Sequence, residues 1–152
     1  MNLRRLDEFC TFLTKLTPES LDKLDLYFDP EVHFKDPFND VSGIRSLRAI
    51  LADMFVHLGA VQFEIVGFSC SPLNSGATGA FIEWRLTYTK KKTTVLPGVS
   101  SIVFSSEGLI IKYHDYWDSG EHFYENIAVI KSILGVIKKR VSTHIPEKPQ
   151  TK

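Results

Sequence analysis

The hydrophobic period of this chain changes at Gly59, and that change limits the folds open to it. Before Gly59 the apolar residues mostly recur at helical spacing; from there to Asp118 they alternate. Leu3, Leu6, Phe9, Phe12, Leu13 and Leu16 predict an amphipathic first helix. Thr17-Pro18-Glu19-Ser20 reads as a second helix start, with Thr17 as cap and Pro18 in the first turn. Leu21, Leu24 and Tyr27 carry that helix to Asp29-Pro30, where it should end. Val32 to Asp36 is a short strand stopped by Pro37, and Phe38 to Gly43 a loop. Ile44, Leu47, Ile50, Leu51, Met54, Phe55 and Leu58 then give a long helix closed by Gly59.

Beyond Gly59, Val61, Phe63 and Ile65 alternate with Gln62 and Glu64, a half-buried strand running to about Cys70. Ala80 to Thr89 is a second strand, with Ile82, Trp84, Leu86 and Tyr88 on one face and Phe81, Glu83, Arg85 and Thr87 on the other. Lys90-Lys91-Lys92 is a charged, solvated hairpin tip. Thr93 to Ser105 is a third strand in which Pro97-Gly98 predicts a bulge or bend, and Leu109 to Asp118 is a fourth. Short turns between them predict an antiparallel meander. A last helix is expected over Glu121 to Val141, with Asp118 as its cap, packing its wide apolar stripe rather than lying on a membrane. The proline-bearing 142–152 segment is expected to be a disordered tail. The fold class is therefore α+β: a curved antiparallel sheet wrapped around a long helix, with one domain over residues 1–141.

Composition narrows the function classes. Eighteen basic residues balance eighteen acidic ones, which gives no electrostatic footprint for nucleic acid. Cys10 and Cys70 stand far apart without metal-ligand spacing, which favours free thiols in a reducing cytoplasm and leaves a disulfide between them open. The first sixteen residues alternate charged and apolar side chains, unlike a signal peptide. No stretch reaches the ~20 apolar residues of a spanning helix. The histidines at 33, 57, 114, 122 and 144 are scattered, so no metal is expected.

Two motifs carry a resemblance. Tyr27-Phe28-Asp29-Pro30-Glu31-Val32-His33-Phe34-Lys35-Asp36-Pro37-Phe38 is followed by Gly43 and the long helix; Tyr113-His114-Asp115-Tyr116-Trp117-Asp118 ends the last strand. With the element order, this resembles the SnoaL-like branch of the nuclear transport factor 2-like superfamily over about Leu3 to Asp118, including bacterial members without an assigned activity. The resemblance implies a cone-shaped α+β barrel with an apolar pocket between sheet and long helix, often dimeric through the sheet. It does not fix the activity, because this fold hosts isomerases, dehydratases, cyclases, epoxide hydrolases and non-catalytic modules. Asp36-Pro37 looks like the general-base pair of ketosteroid isomerase, a protein whose acid/base pattern is well known. Phe12 and Ser100 fall near that enzyme's oxyanion-donor positions, where Phe12 has no donor and Ser100 only a hydroxyl. Asp115 matches an aspartate of limonene epoxide hydrolase, while Trp84 and Leu86 stand at its partner positions and Arg85 is one residue out of phase.

Strand parity puts Tyr113, Asp115 and Trp117 inward and His114, Tyr116 and Asp118 outward, and puts Asp36 on the face of Val32 and Phe34. Asp36 and Asp115 are the candidate catalytic acid and base; Trp84, Ser100, Tyr113 and Trp117 are the candidate ligand-binding residues. The bland alternative is a turn-forming Asp36 and a buried, structural Asp115. Two functions remain open. One is a protein that binds a small apolar ligand, polycyclic or lipid-like, with or without cofactor-free acid/base chemistry. The other is a non-catalytic dimerising module.

Overall fold

A computed structural model describes residues 2–90 and 92–119. Helix α1 spans Asn2–Thr14 and buries Leu6, Phe9, Cys10, Phe12 and Leu13. Leu3, expected on the same stripe, is 64% exposed. The Thr17 cap forms as expected: its hydroxyl accepts from the Ser20 amide, and the Ser20 hydroxyl accepts from the Thr17 amide. The segment it caps, Pro18–Leu26, is a 3-10 helix, shorter than the helix the sequence suggested. Leu21, Leu24 and Tyr27 are spaced by three, the 3-10 period, and the Tyr27 amide closes the end on the Leu24 carbonyl.

Strand β1, Phe28–Lys35, starts well before Val32, and a short β2, Asp40–Ser42, lies inside the expected loop. Helix α2 spans Ile44–Leu58; Gly59 ends it at φ 76°, a backbone angle that favours glycine, donating its amide to the Phe55 carbonyl. Four strands come next: β3 Val61–Pro72, β4 Thr78–Thr89, β5 Thr93–Phe104 and β6 Ile110–Trp117. The sheet has six strands in the order β2-β1-β6-β5-β4-β3. It is mixed, which corrects the antiparallel expectation: the β3–β6 meander is antiparallel, but β1 joins β6 in parallel. No bulge occurs at Pro97-Gly98, where β4 and β5 stay in continuous register. The register shifts lie instead in β3 between Ile65 and Gly67, in β1 between Phe28 and His33, and in the β5–β6 pair between Val103 and Phe104.

The described residues up to Asp118 pack as one compact unit. Helix α1 lies against β3 and β4, and α2 against β1, β2 and the 3-10 helix. The core between them is rich in aromatic rings. Phe9 sits edge-on to Phe28 and Tyr113, at centroid distances of 5.4 and 5.9 Å, and Phe12 stacks on Tyr27 at 4.6 Å. Ring pairs of this kind add roughly 0.5–1.5 kcal/mol each to their area burial. Cys10 and Cys70 are free thiols; Cys10 is buried and Cys70 half-buried. Burial pushes the Cys10 thiol up to about 11, with Asp7 adding to the shift. Among the described residues no helix is long and apolar enough to cross a membrane. The expected last helix, its Asp118 cap contact and the 142–152 tail lie outside the described residues.

Candidate functional site

Strand β6 organises the site. In its pairing with β5, Val103 faces Lys112 and Phe104 faces Ile110, which leaves Ile111 as an extra residue. That bulge resets the alternation, so Ile110 and Tyr113 both point inward, at 0% and 6% exposure. Asp115 and Trp117 lie further along the same face, each half-buried. His114 and Tyr116 face outward and stack on each other at 4.0 Å. Beside them on β1, His33 and Lys35 both reach Asp40, at 2.7 and 2.8 Å. Lys35 and His33 draw the Asp40 carboxyl down to about 2.

Cross-strand register then gathers the inward residues. Ser100 lies directly opposite Asp115, and Ile102 opposite Tyr113. Trp84 on β4 lies opposite Gly98, one inward position before Ser100. The result is a hydrogen-bonded cluster centred on the fully buried Ser100. The Trp84 indole N–H donates to Ser100 Oγ at 2.8 Å, Ser100 Oγ donates to Asp115 Oδ1 at 2.5 Å, and the Tyr113 hydroxyl lies 3.1 Å from Ser100 Oγ. Phe34 stacks on the Tyr113 ring at 5.8 Å while Phe9 and Phe28 meet it edge-on, so its hydroxyl is held in place.

The electrostatics of the cluster come from these neighbours. Burial pushes the Asp115 carboxyl up to about 7, the Ser100 and Tyr113 hydroxyls oppose the shift, and the charge of Asp36 adds to it. Burial and the nearby Asp115 charge raise the Tyr113 phenol well above its ordinary value.

Asp36 is brought to Asp115 by the parallel pairing. Phe34 faces Tyr113 and Lys35 faces His114, so Asp36, just past the end of β1, comes alongside Asp115. Its own hydrogen bonds turn the other way. Oδ1 accepts from the Phe38 and Asn39 backbone amides at 2.7 and 2.6 Å, and the Asn39 side-chain amide reaches both carboxylate oxygens at 3.1 Å. This is an Asx-type turn, the role that Asp-Pro often plays. The turn carries Phe38 to the edge of the Trp117 ring, 5.3 Å away and 70° to it.

The structure thus joins Trp84, Ser100, Tyr113 and Asp115 in one cluster, sets Asp36 beside it, and leaves Trp117 one inward position further along β6 with Phe38 as neighbour. Phe12 offers no donor and lies in the aromatic core. Sequence reasoning missed Asn39, whose amide clamps Asp36, and read Gly98 only as a bulge or bend, whereas the Trp84 ring lies over it. A Cβ built on Gly98 would stand 2.3 Å from Trp84 Cη2. Neighbouring inward positions on α2 and β3, namely Met54, Phe55, Leu58, Phe63 and Ile65, are only partly buried. Phe63 meets the Trp84 ring edge-on at 5.6 Å. A hollow of about 310 Å³ bounded by Leu16, Pro18, Phe55, Gly59 and Val61 opens at the end of α2, away from both carboxylates. Among the described residues, no three histidine, cysteine or acidic side chains gather to hold a metal ion.

The sequence pattern of the SnoaL-like domain family matches residues 9–113. Solved structures share the fold. A candidate SnoaL-like polyketide cyclase from Jannaschia sp. CCS1 superposes with a TM-score of 0.65 at 12% identity, over 94% of this chain and 95% of that one. A nuclear transport factor 2-like protein of unknown function from Exiguobacterium sp. 255-15 gives 0.63 at 14% identity, over 75% and 98%. An epoxide hydrolase of M. tuberculosis, similar to limonene epoxide hydrolase, gives 0.58 at 19% identity, over 89% and 95%. At these identities the likeness is one of fold. No functionally curated protein matches in sequence.

Proposed function

The chain belongs to the SnoaL-like family, and from that premise we propose that it binds a small apolar molecule on the inward face of its sheet and acts on it by cofactor-free acid/base chemistry centred on Asp115. Families of this fold often hold small ligands and include cyclases and isomerases. The observation that carries the reading is a carboxyl raised to about 7, hydrogen-bonded to Ser100 and set among aromatic rings on a face that is not fully sealed. A group that titrates near neutrality is suited both to give and to take a proton. Asp115 is the proton carrier in this reading, and Asp36 the adjacent carboxylate whose charge tunes it. Trp84, Tyr113 and Trp117 supply apolar wall, and Ser100 and Tyr113 supply hydroxyls. Isomerisation, cyclisation, dehydration and epoxide opening all fit such a site; each needs one proton placed and one removed. The ligand sits in a cone-shaped pocket between α2 and the sheet.

A second reading is a non-catalytic dimerising module. The turn bonds that engage both oxygens of Asp36 favour it. In either reading two copies pair through the outer sheet face, where Phe81, Val95, Val99 and Tyr116 are exposed, and the protein works in the cytoplasm with reduced thiols. Sedimentation at micromolar concentration tests the pairing: a monomer there removes it.

The test of the activity is a carboxyl-carbon NMR titration with a panel of polycyclic ketones and terpenoid epoxides. Asp115 is expected to titrate near neutrality and to shift saturably with a member of the panel, and Asp115→Asn to bind that compound without turning it over. An Asp115 that titrates near the ~4 of an ordinary aspartate, unmoved by every compound, sinks the enzyme reading.

A further inference from the structure

The direction of each hydrogen bond around Ser100 is set by chemistry. An indole N–H donates and never accepts. Ser100 Oγ must therefore be the acceptor in its 2.8 Å contact with Trp84 Nε1. A serine hydroxyl has a single proton, and an oxygen already accepting from Trp84 has that proton free for one neighbour. The neighbours are Asp115 Oδ1 at 2.5 Å and the Tyr113 hydroxyl at 3.1 Å. The shorter contact is to the carboxylate, and charge-assisted bonds are both shorter and stronger. The Tyr113 hydroxyl gives its own single proton to the Asp115 carboxyl, so it lies beside Ser100 Oγ without donating to it. With the indole N–H fixed on one side of Ser100 Oγ, the serine proton is left pointing at Asp115.

The indole reaches Ser100 because of what stands at position 98. Trp84 and Gly98 are cross-strand partners, and the indole lies over the glycine. A Cβ there would approach Trp84 Cη2, Cζ2 and Cζ3 to 2.3, 2.4 and 2.8 Å, and the buried indole has little room to retreat. Any residue but glycine displaces the ring and with it the N–H.

We propose that Trp84 is a positioning residue whose indole N–H aims the Ser100 hydroxyl at Asp115, and that position 98 is glycine so that the indole can lie where it does this. The inference rests on the reading of Asp115 as the proton carrier. The Trp84–Ser100 pair holds Asp115 as an acceptor, favouring its charged form, against the burial that favours the neutral one. Remove the indole N–H and the Ser100 hydroxyl is free to rotate, so that its oxygen can face a protonated Asp115 and accept from it. The neutral acid is then stabilised and Asp115 binds its proton more tightly.

The experiment tracks the Asp115 carboxyl carbon by NMR titration of the full chain, with no ligand added. Trp84→Phe is expected to move the midpoint up by at least about half a pH unit, a fraction of what a hydrogen bond to a charged group is worth. Because Trp84→Phe also leaves space in the core, the deciding variant carries benzothienylalanine at position 84, which keeps the shape of the indole and replaces N–H by sulfur. The same upward shift there supports the proposal; an unchanged midpoint overturns it, since packing alone survives that replacement. Gly98→Ala is expected to reproduce the shift and to add nothing when combined with Trp84→Phe. Independent, additive shifts in the double variant overturn the role given to Gly98. A failed ligand panel strikes at the enzyme reading and leaves this titration result standing; an unchanged midpoint strikes at the positioning role alone.

Discussion

Asp36 and Asp115 lie side by side on adjacent strands, yet their surroundings differ in kind. Asp36 stands past the end of β1 and accepts from two backbone amides and one side-chain amide, all within three residues of itself. Asp115 stands within β6 and finds hydroxyls from two strands, with no backbone amide or cation among its described partners. Local amides suit a fixed negative charge; hydroxyls in apolar surroundings suit a proton that comes and goes. A pair of carboxylates in unlike environments is how one site can give its two acids different roles. The nearness of the two completes the arrangement, because the charge of Asp36 is one cause of the high Asp115 value.

The largest effect expected from this contrast is on stability against pH. The Asp115 carboxyl titrates at about 7 folded and at 3.8 in its ordinary state. Between those values the folded chain binds more protons than the unfolded one, so stability falls as pH rises through the window and the full cost is present above about 7. That cost is at most roughly 4 kcal/mol, reduced to the extent that solvent reaches the half-buried side chain. Asp115→Asn removes it. Denaturant unfolding at pH 8 should show the variant more stable by about 2–3 kcal/mol, with the difference nearly gone at pH 4. A variant that is less stable than the parent at pH 8 makes Asp115 a structural carboxylate and erases the contrast.

Next in size is the turn. Asp36→Ala leaves the Phe38 and Asn39 amides without their acceptor and should cost about 1–2 kcal/mol. Asp36→Asn keeps an oxygen for those amides and should cost less than about 1 kcal/mol, as should Asn39→Ala, which spares the backbone bonds. The same denaturant series checks all three. Equal losses for Asp36→Ala and Asp36→Asn would mean that charge, not turn geometry, is what holds Asp36.

How much of this was legible in the sequence depends on the range of the interaction. Parity along β6 put Tyr113, Asp115 and Trp117 on one face and His114 and Tyr116 on the other, because alternation is local. The Thr17 cap and the Gly59 stop were legible for the same reason. The parallel pairing of β1 with β6 was not: it joins residues about eighty positions apart, and nothing in Val32 to Asp36 names its partner. Without it Asp36 and Asp115 were merely two inward aspartates, and their adjacency had to come from register. Gly98 shows the opposite failure. Its signal was seen but read as a bulge or bend, where a glycine in a strand can equally mark a close approach. The approaching group was Trp84, which only the β4–β5 register identifies.

The smallest effect is the most specific to the pair. If Asp36 tunes Asp115 through its charge, Asp36→Asn should lower the Asp115 midpoint while leaving the turn intact. The expected shift is downward, because removing a neighbouring negative charge makes ionisation of Asp115 easier. Its size is limited, since burial is the leading cause of the high value and remains in the variant. A carboxyl-carbon titration resolves about half a unit without difficulty, and added salt gives a second reading. Salt screens exposed charges more than buried ones. The parent midpoint should therefore move little between low and high ionic strength if the two carboxylates interact across the protein interior. A midpoint that falls with salt as far as it falls in Asp36→Asn places their interaction in solvent instead. An unchanged midpoint in Asp36→Asn separates the two residues altogether, leaving Asp115 raised by burial alone and Asp36 as no more than the residue that turns the chain after β1.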